Sequence, residues 1–344
     1  MSEQSGSGPG PVGESETGVR ATDPHGATRG ARAISRDELK AKAHQRRADV
    51  ERQLEATRAQ LEATNDRITA RTGRNLVSAI GIGLVGGGLM LVSLIVIKEL
   101  FMVLAGVLVV FAALELAGAL RHAGRDIPRI PTVIVALATV PAAYYLGISG
   151  AWFSVLAGSV FIALWRLAEQ LVGRTRSTAR ELMLDMGLGA FVQLYVTFLG
   201  AFAIRLVAEP QGEFWTLTFL ILVIVVDTGA YASGLTWGKH PMAPRVSPKK
   251  TWEGFAGAAV AGVVAGVLLA VLLLQEPWWV GAVFGIVVLG TATLGDLAES
   301  LIKRDIGIKD MSSWLPGHGG FLDRLDSILP SAAAAYVLYF LFVH

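Results

Sequence analysis

The sequence predicts an all-α polytopic membrane protein, with about nine transmembrane helices behind a polar N-terminal extension. Three observations lead there. Of 344 residues, 53% are hydrophobic and only 17% charged, where soluble domains average about 25% charged. After Arg74 the chain is a succession of apolar runs, each about 20 residues long, the helical length that crosses a ~30 Å hydrocarbon core. The cations gather in alternate connections between those runs, as the positive-inside rule requires of a multi-span chain.

Residues 1–33 are rich in Gly, Ser, Pro, Thr and Glu and read as a disordered tail. Residues 34–75 are charged and helix-favouring, with no Pro and no Gly before Gly73. There Val50, Leu54, Thr57, Leu61, Thr64 and Ile68 form a rough heptad stripe. It predicts either a solvated single helix or a short coiled coil, the latter making the protein a homodimer. The transmembrane catalytic domain is expected over 76–344, with spans near 76–97, 100–120, 132–149, 151–172, 184–206, 214–235, 254–274, 278–299 and 326–343.

Fourteen cations fall after the second, fourth, sixth and eighth spans and a fifteenth, Arg166, in the last turns of the fourth, against Lys98 and Arg205 on the other side. That asymmetry places those connections and the tail in the cytoplasm, and His344 outside the cell membrane. No apolar run precedes residue 76, so insertion is expected to rely on the internal spans. The net charge of +2 makes no case for nucleic acid, and the absence of Cys excludes disulfides, thiolate catalysis and Cys-bound zinc.

Three polar clusters interrupt the apolar pattern. Asp227, in VVDTGAYASG, follows thirteen mostly apolar residues. A carboxylate at membrane depth costs about 2.5–3.5 kcal/mol on insertion scales, so it needs a partner or a purpose. Glu115, isolated in the second span, reads as structural. The second cluster is RVSPKKTWEG, 245–254. Ser-Pro marks a turn, and Ser247 or Thr251 would cap the following helix. Lys249 and Lys250 add cationic charge to a helix N-terminus suited to anions.

The third cluster is GDLAES, 295–300, together with KRDIGIKDMSSWLPGHGGFLDRLD, 303–326, where eight of 24 residues are charged. Asp296, Ser300 and Lys303 are spaced to share one helical face, and Asp323 and Asp326 share another. Gly319 and Gly320 beside His318 would let backbone approach a ligand closely. Carboxylates from two helix ends suit Mg²⁺, which commonly shares its oxygen ligands with substrate phosphates. Lys303, Arg304, Lys309 and Arg324 would hold the phosphates themselves. Glu253 and Asp310 complete the candidate substrate-binding set.

The run Ser300–Asp326 resembles, without a gap, the signature of phosphatidate cytidylyltransferases, also called CDP-diacylglycerol synthases. Ser247–Gly254 (SPKKTWEG) and Asp227–Tyr231 (DTGAY) are similar to two further motifs of that family, and the likeness extends over 76–344. The resemblance implies conversion of phosphatidic acid and CTP into CDP-diacylglycerol and pyrophosphate with Mg²⁺. It implies metal-binding roles for Asp296 and Asp323, a further acid at Asp326, and a substrate-binding pair at Ser300 and Lys303.

The charge pattern suits that chemistry. Both substrates are polyanions, and one cannot leave the bilayer. Two cations, or one with Lys and Arg, would neutralise charge while one anion attacks the other. Two rivals stand beside this reading. A CTP-dependent polyprenol or lipid kinase would yield a lipid monophosphate instead of a CDP-lipid. An ion-coupled transporter would be expected to show paired broken spans in two halves, and no such repeat is visible.

Overall fold

The computed structural model describes residues 76–343 except 174–176, 309, 313 and 315–318, together with Gln53. Side chains of the helical domain are described from Val85 onward. The expected tail and charged helix, 1–75, lie outside the described residues, Gln53 apart.

In chain order the elements are α1 (Leu76–Val96), α2 (Lys98–His122), α3 (Arg129–Leu171), α4 (Ala179–Val192), a π-helical stretch Gln193–Phe198 and α5 (Leu199–Ala208). Then come α6 (Gly212–Trp237), β1 (Pro241–Ala243), β2 (Ser247–Thr251), and α7 (Trp252–Leu269) with a π turn at Ala270–Leu274. The chain ends in α8 (Trp278–Asp305), α9 (Leu322–Leu325) and α10 (Ile328–Val343). Helices dominate, as the apolar runs predict.

Among the described residues, seven stretches are long and apolar enough to cross a membrane: α2, α3, α4 to α5, α6, α7 with its π turn, α8, and α9 to α10. In α1 the stretch Val85–Val96 is a shorter apolar helix. The sequence reading counted nine separate spans, and the largest departure is α3, where 132–149 and 151–172 merge into one helix of 43 residues. Straight, it would run about 65 Å at 1.5 Å per residue, twice a bilayer core. It is not straight. Gly147 adopts φ 77°, a left-handed conformation open to glycine. Beyond it the helix returns alongside itself, with Thr139 Oγ1 and Ser154 Oγ 2.9 Å apart and Gly158 packed on the Val135 side chain. Both pairs are centred on the bend, so α3 is a helical hairpin.

Glycines also set a close contact in the bundle. Gly262 and Gly266 of α7 oppose Gly285 and Gly281 of α8, and a methyl group on any of the last three would strike a carbonyl of the facing helix. Two G-x-x-x-G faces thus meet backbone to backbone, the arrangement that lets van der Waals contact drive association in lipid.

The two ends of the bundle treat charge differently. At one end the isolated cations are neutralised within the protein: Lys98 Nζ pairs with Glu213 at 2.6 Å, and Arg205 pairs with Glu209. At the other end Arg166, 0% exposed, donates to Asp185 at 2.8 Å, to Asp126 at 3.3 Å and to Ser177 at 2.6 Å. The sequence reading placed Arg166 in the last turns of its fourth span, among the cations of the cytoplasmic side; the fold buries it, and two aspartates, from the α2–α3 connection and α4, meet it there. Nearby Thr178 and Glu181 form a capping box at the start of α4.

The Ser-Pro step is not a turn, as the sequence suggested. Ser247 to Thr251 form β2, paired antiparallel with β1 in the register Pro241↔Thr251 and Ala243↔Ser247. The turn lies before it, closed by Val246 N–H to Ala243 C=O at 3.2 Å. A two-stranded ribbon has only edge strands, where a proline's missing donor is tolerated.

Candidate active site

The hairpin, α6, α7, α8 and α9 enclose a cavity of about 400 Å³. Each contributes polar groups for a local reason. From α6 come Asp227 and Tyr231, one turn apart. From β2 come Ser247, Lys249 and Lys250, and Thr251 closes the strand. Thr251 also caps α7, its Oγ1 accepting the Gly254 N–H at 3.1 Å, which fulfils one of the two expected caps. From α8 comes Asp296, and from the start of α9 and just beyond it come Asp323, Arg324 and Asp326.

Four carboxylates and three cations therefore line one space. Lys250 Nζ meets Asp296 Oδ2 at 2.8 Å. Asp227, Asp296 and Asp326 lie near enough to repel one another, while Asp323 belongs to a second group with Lys303 and Glu299. Lys303 Nζ sits 2.9 Å from Asp323 Oδ1 and also pairs with Glu299. The other Asp323 oxygen accepts the N–H of Gly320 at 2.8 Å and of Met311 at 3.3 Å, so this carboxylate is fixed from three directions.

Ser300 donates to Asp296 Oδ1 at 3.3 Å, consistent with the shared helical face. Lys303 turns from that face toward Asp323 because Glu299, 0% exposed, draws it there. Ser300, Lys303, Arg304, Asp310, Glu253, Gly319 and Gly320 lie outside the cavity lining. Several of these support it instead. Arg304 Nε donates to Val246 C=O at 3.4 Å, tying α8 to the hairpin. Glu253 accepts from Lys239 N–H and His240 N–H, both at 3.1 Å, and pairs with the His240 ring, anchoring the hairpin's other end. Gly319 has φ 85°, and Gly320 leaves no room for a side chain because Glu115 lies directly against it. Lys309 and His318 are outside the described residues.

One participant escaped the sequence reading, and the reach of another was not foreseen. Glu299 could have been found, since it stands three residues after Asp296 and four before Lys303 in the charged last turns of α8. Glu115 was seen but read as merely structural. It is 2% exposed, and its carboxylate accepts the Leu322 N–H at 2.7 Å and the Ser312 hydroxyl. It therefore grips both ends of the segment that presents Asp323.

Among the described residues, no three Asp, Glu or His side chains form a ready-made metal cage. The charged donors that face the cavity are nonetheless all carboxylate oxygens beside ammonium and guanidinium groups, and the carboxylates outnumber the cations. A site for phosphates alone would carry the opposite balance.

Fold and cavity together define a polytopic membrane protein with a charged cavity of about 400 Å³ at one end of its helices. The model of the cytidylyltransferase family matches residues 77–342. The chain belongs to that family and is a nucleotide-transferring membrane enzyme. A phosphatidate cytidylyltransferase of Mycobacterium bovis is 40% identical over 276 residues, covering 78% of this chain and 90% of the relative. One from Mycobacterium leprae is 38% identical over 289 residues, covering 82% and 92%. One from Brucella suis is 43% identical over 130 residues, covering 38% of this chain and 48% of the relative.

Proposed function

We propose that this protein transfers the cytidylyl group of CTP to phosphatidic acid, forming CDP-diacylglycerol and pyrophosphate at the cytoplasmic face of the cell membrane. The observation that carries the reading is the single cavity where carboxylates of α6, α8 and α9 meet the lysines of β2. It suits two polyanions that must be brought together against their own repulsion.

In the reaction a phosphate oxygen of the lipid attacks the α-phosphorus of CTP, and the bond from that phosphorus to the bridging oxygen of pyrophosphate breaks. The lipid phosphate is largely dianionic near neutral pH and needs little help from a general base. Lys249, Lys250 and Arg324 bind and orient phosphate groups, acting as point charges and, for Arg324, as a planar fork. Lys303 and the backbone N–H groups of Met311 and Gly320 hold Asp323 in place. Asp227 lines the wall formed by α6, where the lipid headgroup is expected to enter.

The oxygen donors fit Mg²⁺, which keeps water and substrate phosphates in its shell and needs only one or two protein carboxylates. Asp296 and Asp323 are the residues proposed to hold it, with Asp326 as a further acid of the same cavity. When bound, the ion would neutralise charge that develops on the phosphates.

The test uses CTP labelled separately at the α- and γ-phosphates. Label from the α-position should appear in lipid, and label from the γ-position in pyrophosphate. Lipid labelled from the γ-position would mean a kinase and would overturn the reading.

A further inference from the structure

A second cavity, of about 280 Å³, shares no residue with the first. Its walls are the last turns of α2, the first residue of α3, and Met311, Ser312 and Trp314 of the segment before α9. Two of these residues connect it to the candidate active site. The Met311 N–H donates to Asp323 at 3.3 Å, and the Ser312 hydroxyl donates to Glu115, which also accepts the Leu322 N–H.

The cavity closes a stripe that α2 turns away from the protein. From Phe111 to Leu120 only Phe111, Leu114 and Gly118 are not buried, and spacings of three and four put them on one helical face. Val103 and Val107 extend that face toward the other end of the helix, and both are exposed. Phe111 lies eleven residues before His122, about 16 Å of helix, which is the depth of one leaflet of a ~30 Å hydrocarbon core. Phe111 stacks on Phe321 with centroids 4.9 Å apart, and Trp314 meets it edge-on at 5.9 Å. Trp314 is half exposed, and indole rings favour the membrane–water boundary.

Arg129 stands at the rim. A side chain on Gly118 would begin 3.8 Å from a guanidinium nitrogen of Arg129, so the arginine lies over this gap in α2. Its side chain has no hydrogen bond or ion pair among the described residues. The connection before it carries Arg125, and its one acid, Asp126, is committed to Arg166. His122 Nδ1 donates to the Gly118 carbonyl at 2.8 Å. Glu115 is the one acid of the cavity among the described residues. It lies about 10 Å of helix below His122, and its oxygens already accept from Ser312 and Leu322. An apolar groove one leaflet deep, topped by an unpaired cation, matches a phospholipid of negative charge.

We propose that this groove binds one anionic phospholipid, its phosphate at Arg129 and an acyl chain along Gly118, Leu114 and Phe111. The chain packs against Trp314 and steadies Met311 and Ser312. Through the Met311 N–H, the lipid around the protein thereby acts on Asp323. The consequence for turnover rests on the reaction proposed above; the binding does not.

The test titrates full-length protein, in neutral detergent without substrate, with phosphatidylglycerol, phosphatidylcholine or inorganic phosphate. Phosphatidylglycerol should raise Tm saturably, as a ligand of the folded state does, and should slow hydrogen exchange at the Met311 and Leu322 amides. Phosphatidylcholine and inorganic phosphate should do neither. Arg129→Gln should need about fivefold more phosphatidylglycerol for half the shift, as expected for one surface cation facing an anionic lipid. Gly118→Leu, which fills the groove, should abolish the shift. Phosphatidylglycerol with brominated chains should quench tryptophan fluorescence more in wild type than in Trp314→Phe. Equal shifts from the two lipids, the same shift from inorganic phosphate, wild-type responses in Arg129→Gln and Gly118→Leu, or equal quenching in Trp314→Phe would each overturn the proposal. None of these readouts needs turnover, so protein that forms no CDP-lipid would overturn the reaction alone.

Discussion

The carboxylate of Glu115, in α2, accepts the backbone N–H of Leu322, the first residue of α9, at 2.7 Å. A side chain 207 residues away in sequence thus fixes where the helix bearing Asp323 begins. The same carboxylate takes the Ser312 hydroxyl and excludes any side chain at Gly320. The charged segment is therefore hung from α2 at two points.

That geometry predicts unequal effects at Glu115. Glu115→Ala leaves the buried Leu322 amide without its acceptor, at a cost of about 1–3 kcal/mol, and should lower both Tm and kcat. Glu115→Gln keeps an acceptor oxygen of the same reach and should recover most of the stability. Thermal unfolding in detergent, followed by turnover of the surviving protein, checks this. Equal losses in both variants would show that the charge matters more than the hydrogen bond.

Arg166 should govern stability without governing chemistry. Breaking a buried ion pair by deleting one partner costs roughly 3–5 kcal/mol, because the other charge is left unpaired. Arg166→Met should unfold well below wild type, and pairing it with Asp185→Leu should restore part of the loss. Specific activity of folded Arg166→Met is expected to match wild type; a large fall in kcat at full folding would place Arg166 in the site.

The α7–α8 contact leaves no space for a methyl group. Gly281→Ala forces one against the Gly266 carbonyl, and overpacking of this kind costs about 1–3 kcal/mol. Gly290, with open space around it, is the control: Gly290→Ala should leave Tm unchanged. Melting temperatures of the two variants decide it.

Chelation by EDTA should stop turnover and added Mg²⁺ should restore it. Asp296→Asn is expected to raise the Mg²⁺ concentration for half-maximal rate, since a carboxylate is a far better ligand than an amide for a hard cation. Lys250→Ala removes the ammonium 2.8 Å from Asp296 and should chiefly raise KM for a substrate phosphate. Activity that survives exhaustive chelation would remove the metal from the mechanism.

Much of this protein was legible in its sequence because the controlling physics is local or set by the solvent. A bilayer demands apolar helices of a given length, and this alone makes the chain polytopic and all-α. The i, i+4 relation between Asp296 and Ser300 follows from helical geometry, and Thr251 as a cap follows from the unmet N–H groups of a first turn. Pairings across long stretches of chain were a different matter. Lys303 turning to Asp323 and Glu299, Glu115 holding Leu322 and Arg166 meeting Asp185 each depend on which helices lie side by side. Apolar periodicity is nearly uniform in membrane helices, because lipid and protein neighbours are equally apolar, so it does not say which face meets which. The bend at Gly147 was hidden for a related reason: a glycine among apolar residues serves a straight helix, a tight contact or a left-handed turn. The sequence determined a membrane-spanning, predominantly helical chain with its carboxylates and lysines gathered on one side of the membrane. Only the tertiary structure decided which carboxylate meets which lysine, because those partners are chosen by side-by-side packing rather than by position along the chain.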